Sequence, residues 1–357
     1  MGKPKITILW SKLSGYFNEC LKQLAGVTDD LIVVRRSIDT KEAPFADTQF
    51  NWIKHLFDYQ TQFAQAVKAI EAQKPDILIV CGWYNPNYVS LAKHYKSSKT
   101  LVISTCDNPW RGTWRQHVAS LTAPLHVKAY FDKIWVTGSQ AAYLVTKLGF
   151  STDQIWTGLY TCNVPAFDRA YQQRQVSPYP KVFLFVGRYI EQKGLKTLLL
   201  AYNHYRTLTS TPWQLWLVGS GPLGSEISDG DGVRNWGFTQ PHELPKIFSQ
   251  AGAFVLPSYH ESWGVVIHEA ATAGLPIICT TTCGSAPELV HSGKNGQVVP
   301  PQDVEALTQA MLAMTQRDQS ALQSMAIHSR QLAKQYSPQQ WLKTLISGYN
   351  NYLQNIL

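Results

Sequence analysis

Two carboxylates, Glu261 and Glu269, sit in the segment His260-Glu-Ser-Trp-Gly-Val-Val-Ile-His-Glu-Ala270. An apolar run at Ala253–Leu256 precedes them and reads as a strand, and a helix start is expected near Gly264. A helix beginning there leaves the amides of Gly264, Val265 and Val266 without intrahelical partners at the positive end of its dipole. Such a terminus is a ready phosphate site. Glu261, in the loop before the helix, suits hydrogen bonds from sugar hydroxyls. Glu269, on the helix, suits the two hydroxyls of a ribose, as acidic residues do in dinucleotide sites. Taken alone, the same pair is equally a helix-surface residue and a cap.

Cations lie upstream. Val186-Gly-Arg-Tyr-Ile-Glu-Gln-Lys-Gly194 follows a strand pattern and opens a helix. Gly187 permits a tight turn, and Arg188 and Lys193 bring two positive charges to one strand end. A diphosphate leaving group gathers negative charge as its bond to a sugar breaks, and fixed cations can stabilise it. Val218-Gly-Ser-Gly-Pro-Leu223 adds a glycine turn, with Gly219, where a backbone could approach a nucleoside. Trp236-Gly-Phe-Thr239, with Phe238, could wall a base. Each of these two is by itself more often structural than functional.

The elements that must position these groups form two α/β series. Ile6–Trp10, Leu31–Val34, Asp76–Val80, Thr100–Thr105 and Ile134–Thr137 are nearly continuous β-branched and apolar runs. Helix-period segments at Tyr16–Leu24, Asn51–Ala72, Tyr88–Tyr95, Trp114–Phe131 and Ala141–Leu148 separate them. This alternation predicts a parallel sheet covered on both faces. A polar, Gln- and Arg-rich stretch over 163–180 reads as a linker. Alternation then restarts and runs to a pair of closing helices, the last at Pro338–Leu357. The expected organisation is an acceptor-side domain over 1–162, the linker, and a donor-binding domain over 181–337. Two doubly wound domains would face a central cleft with their strand C-terminal edges.

Composition narrows the class. At 357 residues, 45% apolar and 16% charged, the chain can bury two cores and is not disordered. Net charge is +8, and the first 165 residues hold 18 basic against 12 acidic side chains without any long basic run. A nucleic-acid binder shows a tighter stripe. The diffuse charge suits an anionic membrane surface, a phosphate-bearing acceptor or a merely soluble basic surface. Loop aromatics at Trp83, Tyr84, Trp110, Trp114 and Trp263 suit a sugar site. Six cysteines without a CxxC, and no signal peptide or membrane-spanning stretch, predict a cytoplasmic protein, with peripheral contact at a membrane's inner face compatible.

From Phe183 to Asp303 the motifs stand in an order that resembles the retaining GT-B enzymes of glycosyltransferase family 4, also called glycosyl transferases group 1. Those motifs are Gly-Arg-x4-Lys-Gly194, Val-Gly-x-Gly-Pro222, Pro257-Ser-x2-Glu-x2-Gly-x4-Glu-Ala270, Ala273-Gly-Leu-Pro276 and Pro287-Glu-Leu-Val290, then Asn295-Gly296. Trp263 replaces the family's common Phe, and Ser262 a common Gly. The resemblance implies that Arg188 and Lys193 bind the donor diphosphate, Glu261 the donor sugar and Glu269 the ribose. It implies further that the Gly264, Val265 and Val266 amides meet sugar and phosphates, with Gly187, Gly219 and Phe238 in the donor site.

The first half resembles the family more loosely. Ser14-Gly15 corresponds to a glycine loop near the donor phosphate, although many members carry two glycines there. Thr105-Cys-Asp-Asn-Pro-Trp110 stands where the family has His or His-Asp, so Asp107 is the catalytic candidate and also a plain turn residue. Arg111 and Arg115 are acceptor-side candidates. The family's last helix crosses back onto the N-terminal domain, and Pro338–Leu357 carries an apolar stripe suited to that. The expected activity is transfer of a hexose-type sugar from a UDP or GDP donor to a glycan, lipid-linked or other hydroxyl acceptor. Retention is expected, with no cofactor, no metal and no nucleic-acid partner. A sugar phosphorylase, a nucleotide-sugar epimerase and a non-catalytic nucleotide-binding subunit are the alternatives.

Overall fold

The computed structural model describes residues 2–37, 50–174, 178–227 and 229–356. The chain divides into two compact units, Met1–Thr161 with Pro338–Leu357, and Cys162–Ser337. In the first, strands β1 (Ile6–Lys12), β2 (Leu31–Arg36), β3 (His55–Asp58), β4 (Ile77–Val80), β5 (Leu101–Cys106), β6 (Lys133–Val136) and β7 (Ile155–Trp156) form one sheet. Helices α1 (Gly15–Leu24), α2 (Phe63–Gln73), α3 (Pro86–Lys96), α4 (Trp114–His126) and α5 (Ser139–Lys147) connect them. The strands are parallel in the order β3-β2-β1-β4-β5-β6-β7. Side chains alternate between two cores: Leu9 and Leu78 enter one, Ile8 and Ile77 the other. Both faces are buried, which is why these strands read as unbroken apolar runs.

The second unit contains α6 (Val164–Arg174), β8 (Val182–Val186), α7 (Leu195–Thr207), β9 (Gln214–Val218), β10 (Val233–Gly237) and α8 (Leu244–Phe248). It continues with β11 (Ala253–Leu256), α9 (Val265–Thr272), β12 (Ile277–Thr280), α10 (Ala286–Leu289), β13 (Gly296–Val299), α11 (Val304–Thr315) and α12 (Gln319–Ala333). Its parallel sheet runs β10-β9-β8-β11-β12-β13. Strand order therefore reverses between β1 and β4 in one unit and between β8 and β11 in the other. Connections leave such a pair toward opposite faces and open a crevice at the strands' C-terminal ends.

The last helix, α13 (Pro338–Ile356), packs on the first unit. Trp341 stacks on Trp135 at 4.8 Å between ring centroids and meets Phe17 edge-on at 6.0 Å. Gly348 gives Trp156 its room, since a Cβ there would stand 2.1 Å from the indole.

Two expected elements differ. Residues 51–72 are not one helix: Leu56 and Phe57 pair with Val33 and Val34 in edge strand β3. Asp58 then accepts the amides of Gln60 and Thr61 at 2.9 and 3.1 Å and turns the chain into α2. A four-residue edge strand is too short to show its own period. The 163–180 stretch is no open linker either. It contains α6, whose Phe167 packs edge-on against Phe248 at 5.0 Å and whose Ala170 is buried. Its remaining side chains are mostly polar, which gave the segment a linker's composition.

Candidate active site

Three loops of the second unit are locked together by backbone. Gly194, at φ +70, ends the loop after β8, and a Cβ there would lie 2.0 Å from the Pro257 carbonyl oxygen. The Tyr259 amide donates to the Gln192 carbonyl at 2.8 Å. On the other side, a Cβ on Gly284 would lie 1.9 Å from the Ser262 carbonyl oxygen. The Gly284 and Ser285 amides donate to the carbonyls of Glu261 and Trp263, both at 2.9 Å. The Thr280 and Thr282 hydroxyls both donate to the Ser258 carbonyl, at 2.5 and 2.7 Å. Loops following β8, β11 and β12 thus form one rigid edge across the sheet's switch point.

On that edge Lys193 and Glu261 form an ion pair, with side chains 17% and 15% exposed. The resemblance implies separate duties for them, but their side chains pair with each other. Arg188 stands exposed on the same β8 loop. Gly264, at φ +86, turns the chain into α9, and Val265 and Val266 occupy its first turn, where amides lack intrahelical acceptors. Glu269 follows on the same helix. It keeps some exposed surface, yet burial with no compensating cation pushes its carboxyl up to about 8. Neighbouring His268 is fully buried, its Nε2 3.2 Å from the Ala333 carbonyl, and burial pushes it down to about 4.

The Gly-Ser-Gly-Pro turn serves this edge from below. A Cβ on Gly219, at φ +149, would stand 1.9 Å from the Gly187 carbonyl oxygen, and one on Gly221 2.6 Å from that of Tyr189. The close approach these glycines allow is to the β8 loop's own backbone. Phe238 follows β10 and is half-buried. Trp263, grouped in the sequence with sugar-facing aromatics, is 2% exposed and packs on Tyr336 at 5.4 Å between ring centroids. Its large ring fills the core beneath the loop.

The first unit carries a cavity of about 540 Å³ at the C-terminal ends of β1, β4 and β5. Among the described residues Asp107 is the one carboxylate lining it, and it accepts the Tyr160 hydroxyl at 3.2 Å. Lys12 and Arg36 supply cations, and Tyr16, immediately after Gly15 at the start of α1, supplies a second phenol. Burial pushes Tyr16 and Cys106 up to about 12 and Tyr160 well above its ordinary range. All three stay protonated at neutral pH. Lys12, Arg36, Tyr16 and Tyr160 went unnoticed in the sequence. Their available signal was position: Lys12 and Arg36 end β1 and β2. Among the described residues no group of three His, Cys, Asp or Glu side chains gathers as a metal site, and no helix is long and apolar enough to cross a membrane.

Comparison with known proteins places this arrangement. Residues 180–317 match the family described as glycosyl transferases group 1. O-antigen chain mannosyltransferase B of Escherichia coli is 28% identical over 214 residues, 58% of this chain and 54% of that protein. A putative colanic acid biosynthesis glycosyltransferase, WcaL of Salmonella typhimurium, is 30% identical over 176 residues, 45% of this chain and 42% of that one. The chain thus spans about half the length of these curated relatives. Among solved structures, Anabaena HepE in complex with UDP and glucose superposes with a TM-score of 0.69 at 16% identity, covering 96% of this chain and all of that one. That likeness shows the GT-B fold of two Rossmann-like units. The match over residues 180–317 covers the loops that carry Arg188, Lys193, Glu261 and Glu269.

Proposed function

We propose that the chain transfers a hexose-type sugar from a UDP- or GDP-linked donor to a glycan or lipid-linked hydroxyl, with retention and without a metal, at the cytoplasmic face of a membrane. The observation that carries this reading is the Lys193–Glu261 pair beside the N-terminus of α9, with Glu269 on the same helix. A donor diphosphate at that terminus competes for Lys193 and frees Glu261 to accept a sugar hydroxyl. Glu269, neutral at pH 7, can both donate to and accept from a ribose.

In the proposed step the bond from the anomeric carbon to the diphosphate oxygen breaks, and its electron pair leaves with the phosphate. Lys193, Arg188 and the α9 amides stabilise that charge in place of a metal. The acceptor oxygen bonds the anomeric carbon on the same face and releases its proton to the departing phosphate oxygen. Asp107 orients the acceptor hydroxyl from the first unit's cavity. UDP bound in HepE and the mannosyltransferase relative support a nucleotide-sugar donor and a glycan acceptor.

A thermal-shift screen with UDP- and GDP-hexoses tests the donor. A ligand at 100 times its Kd should add about 2.7 kcal/mol of stability. Proton NMR of the product's anomeric signal then tests retention, and turnover in excess EDTA tests the metal. No shift with any nucleotide sugar would overturn the proposal, and turnover with inorganic phosphate as acceptor would reassign it to a phosphorylase.

A further inference from the structure

Helix α4 is built inside out. Of its thirteen residues only Ala123 is buried. Trp114, Val118, Leu121 and Leu125 are 71, 52, 80 and 81% exposed. Their spacing confines them to one stripe of roughly 60° at 100° per residue, about opposite the face carrying Ala119 and Ala123. The small residues therefore face the core and the large apolar ones face solvent. Polar bonds, rather than burial, hold the start of the helix. Thr113 accepts the Gln116 amide at 3.3 Å, and the Gln116 side chain bridges the Arg111 amide and the Pro109 carbonyl at 2.7 and 3.0 Å. Tyr84 and Tyr143, 77 and 52% exposed, extend the apolar surface.

The surrounding charge is predominantly positive. Between Asp107 and Asp153, which bound the segment, the chain holds Arg111, Arg115, Lys128, Lys133 and Lys147 against a single acid, Asp132, which Lys96 already pairs. An apolar stripe carrying Trp and Leu, edged by cations and nearly free of acids, matches a helix lying in the interface of an anionic bilayer. Beside α4 runs an open groove of about 780 Å³, walled by Trp114, Leu144 and Leu148. It shares Trp83, Tyr84 and Asn108 with the cavity that holds Asp107.

We infer that α4 docks the first unit on an anionic phospholipid surface, with the groove admitting the chain of a lipid-linked acceptor toward the Asp107 cavity. The purpose of such docking rests on the proposed acceptor class, but the docking itself is testable without sugar transfer. The full chain is sedimented with vesicles of phosphatidylcholine alone and with 30% phosphatidylglycerol. Binding is expected to the second and to be released by 0.5 M NaCl. Because Leu121 and Leu125 are exposed, the double variant L121E/L125E should keep the wild-type Tm while its partition falls at least about tenfold, and K128E/K147E should lose mainly the phosphatidylglycerol preference. Equal binding of wild type to both vesicles, or unchanged binding of L121E/L125E, would overturn the inference. So would sedimentation velocity showing a dimer that L121E/L125E dissociates, since a second copy would then cover the stripe. No nucleotide enters the measurement, so a failed transfer assay leaves its result standing.

Discussion

The two switch points are built from different material. Around the β8–β11 switch the loops after β8, β9, β11 and β12 touch backbone to backbone, through Gly194, Gly219, Gly221 and Gly284, and the Lys193–Glu261 ion pair joins the β8 and β11 loops. Between β1 and β4 the cavity is walled by side chains from separate strand ends, among the described residues phenols, two thiols, two cations and one carboxylate. A surface fixed by backbone contact tolerates few residue types at a fixed spacing. A surface fixed by side chains can be rebuilt from many sequences. If the proposed function holds, the first kind would meet the donor diphosphate and the second the acceptor.

Breaking the ion pair tests the first edge most severely. Lys193→Ala should lower kcat by about a hundred- to a thousandfold, the loss found when a group that stabilises leaving charge is removed. Steady-state rates at saturating donor check it, and near-wild-type turnover would remove Lys193 from the site. Next comes the backbone contact itself. Gly219→Ala should cost about 3 kcal/mol of stability, because its methyl lands on the Gly187 carbonyl, whereas Gly237→Ala, also at positive φ but with open space around it, should cost about 1 kcal/mol. Urea unfolding separates them, and equal costs would mean that the loops are not locked.

On the softer edge, Asp107→Asn should raise the acceptor KM or lower kcat about tenfold, near 1.4 kcal/mol, while donor affinity stays unchanged. Isothermal titration with UDP, alongside rates, distinguishes the two; a loss of UDP affinity would place Asp107 in donor binding instead.

The smallest effect is a pH dependence. The Glu269 carboxyl is raised to about 8 in the folded protein, so the native state holds its proton more tightly than the unfolded chain does. Its contribution to stability is intact below the ordinary carboxylate pKa and is lost as pH rises toward 8. Glu269→Gln should therefore raise Tm by about 2 °C at pH 8 and leave it unchanged near pH 4.5. The opposite sign holds for His268, lowered to about 4: its contribution is full above pH 6.5 and is lost as pH falls toward 4. A Tm difference for Glu269→Gln that does not change with pH would mean the carboxyl is ionised in the folded state.

What the sequence disclosed follows the same division. Buried parallel strands announce themselves as apolar runs, and the edge between β8 and β11 announces itself through the ordered motifs that hold Gly194, Glu261, Gly264 and Glu269. The pairing of Lys193 with Glu261, 68 residues apart, is invisible until the sheet brings their loops together. Lys12, Arg36 and Tyr160 had no local pattern to mark them, and β7, only two residues long, hid the approach to Tyr160. The β3 edge and α6 were misread because short or polar-faced elements carry too little apolar period to outweigh their composition.

Helix α13 sets an order of assembly during synthesis. The core of the first unit includes Trp341 and Leu345, so its first 161 residues leave the ribosome without the piece that covers Trp135. The second unit is continuous from Cys162 to Ser337 and can close as soon as it emerges. The half made first is completed last, and until α13 emerges Trp135 lacks the ring that Trp341 stacks on it.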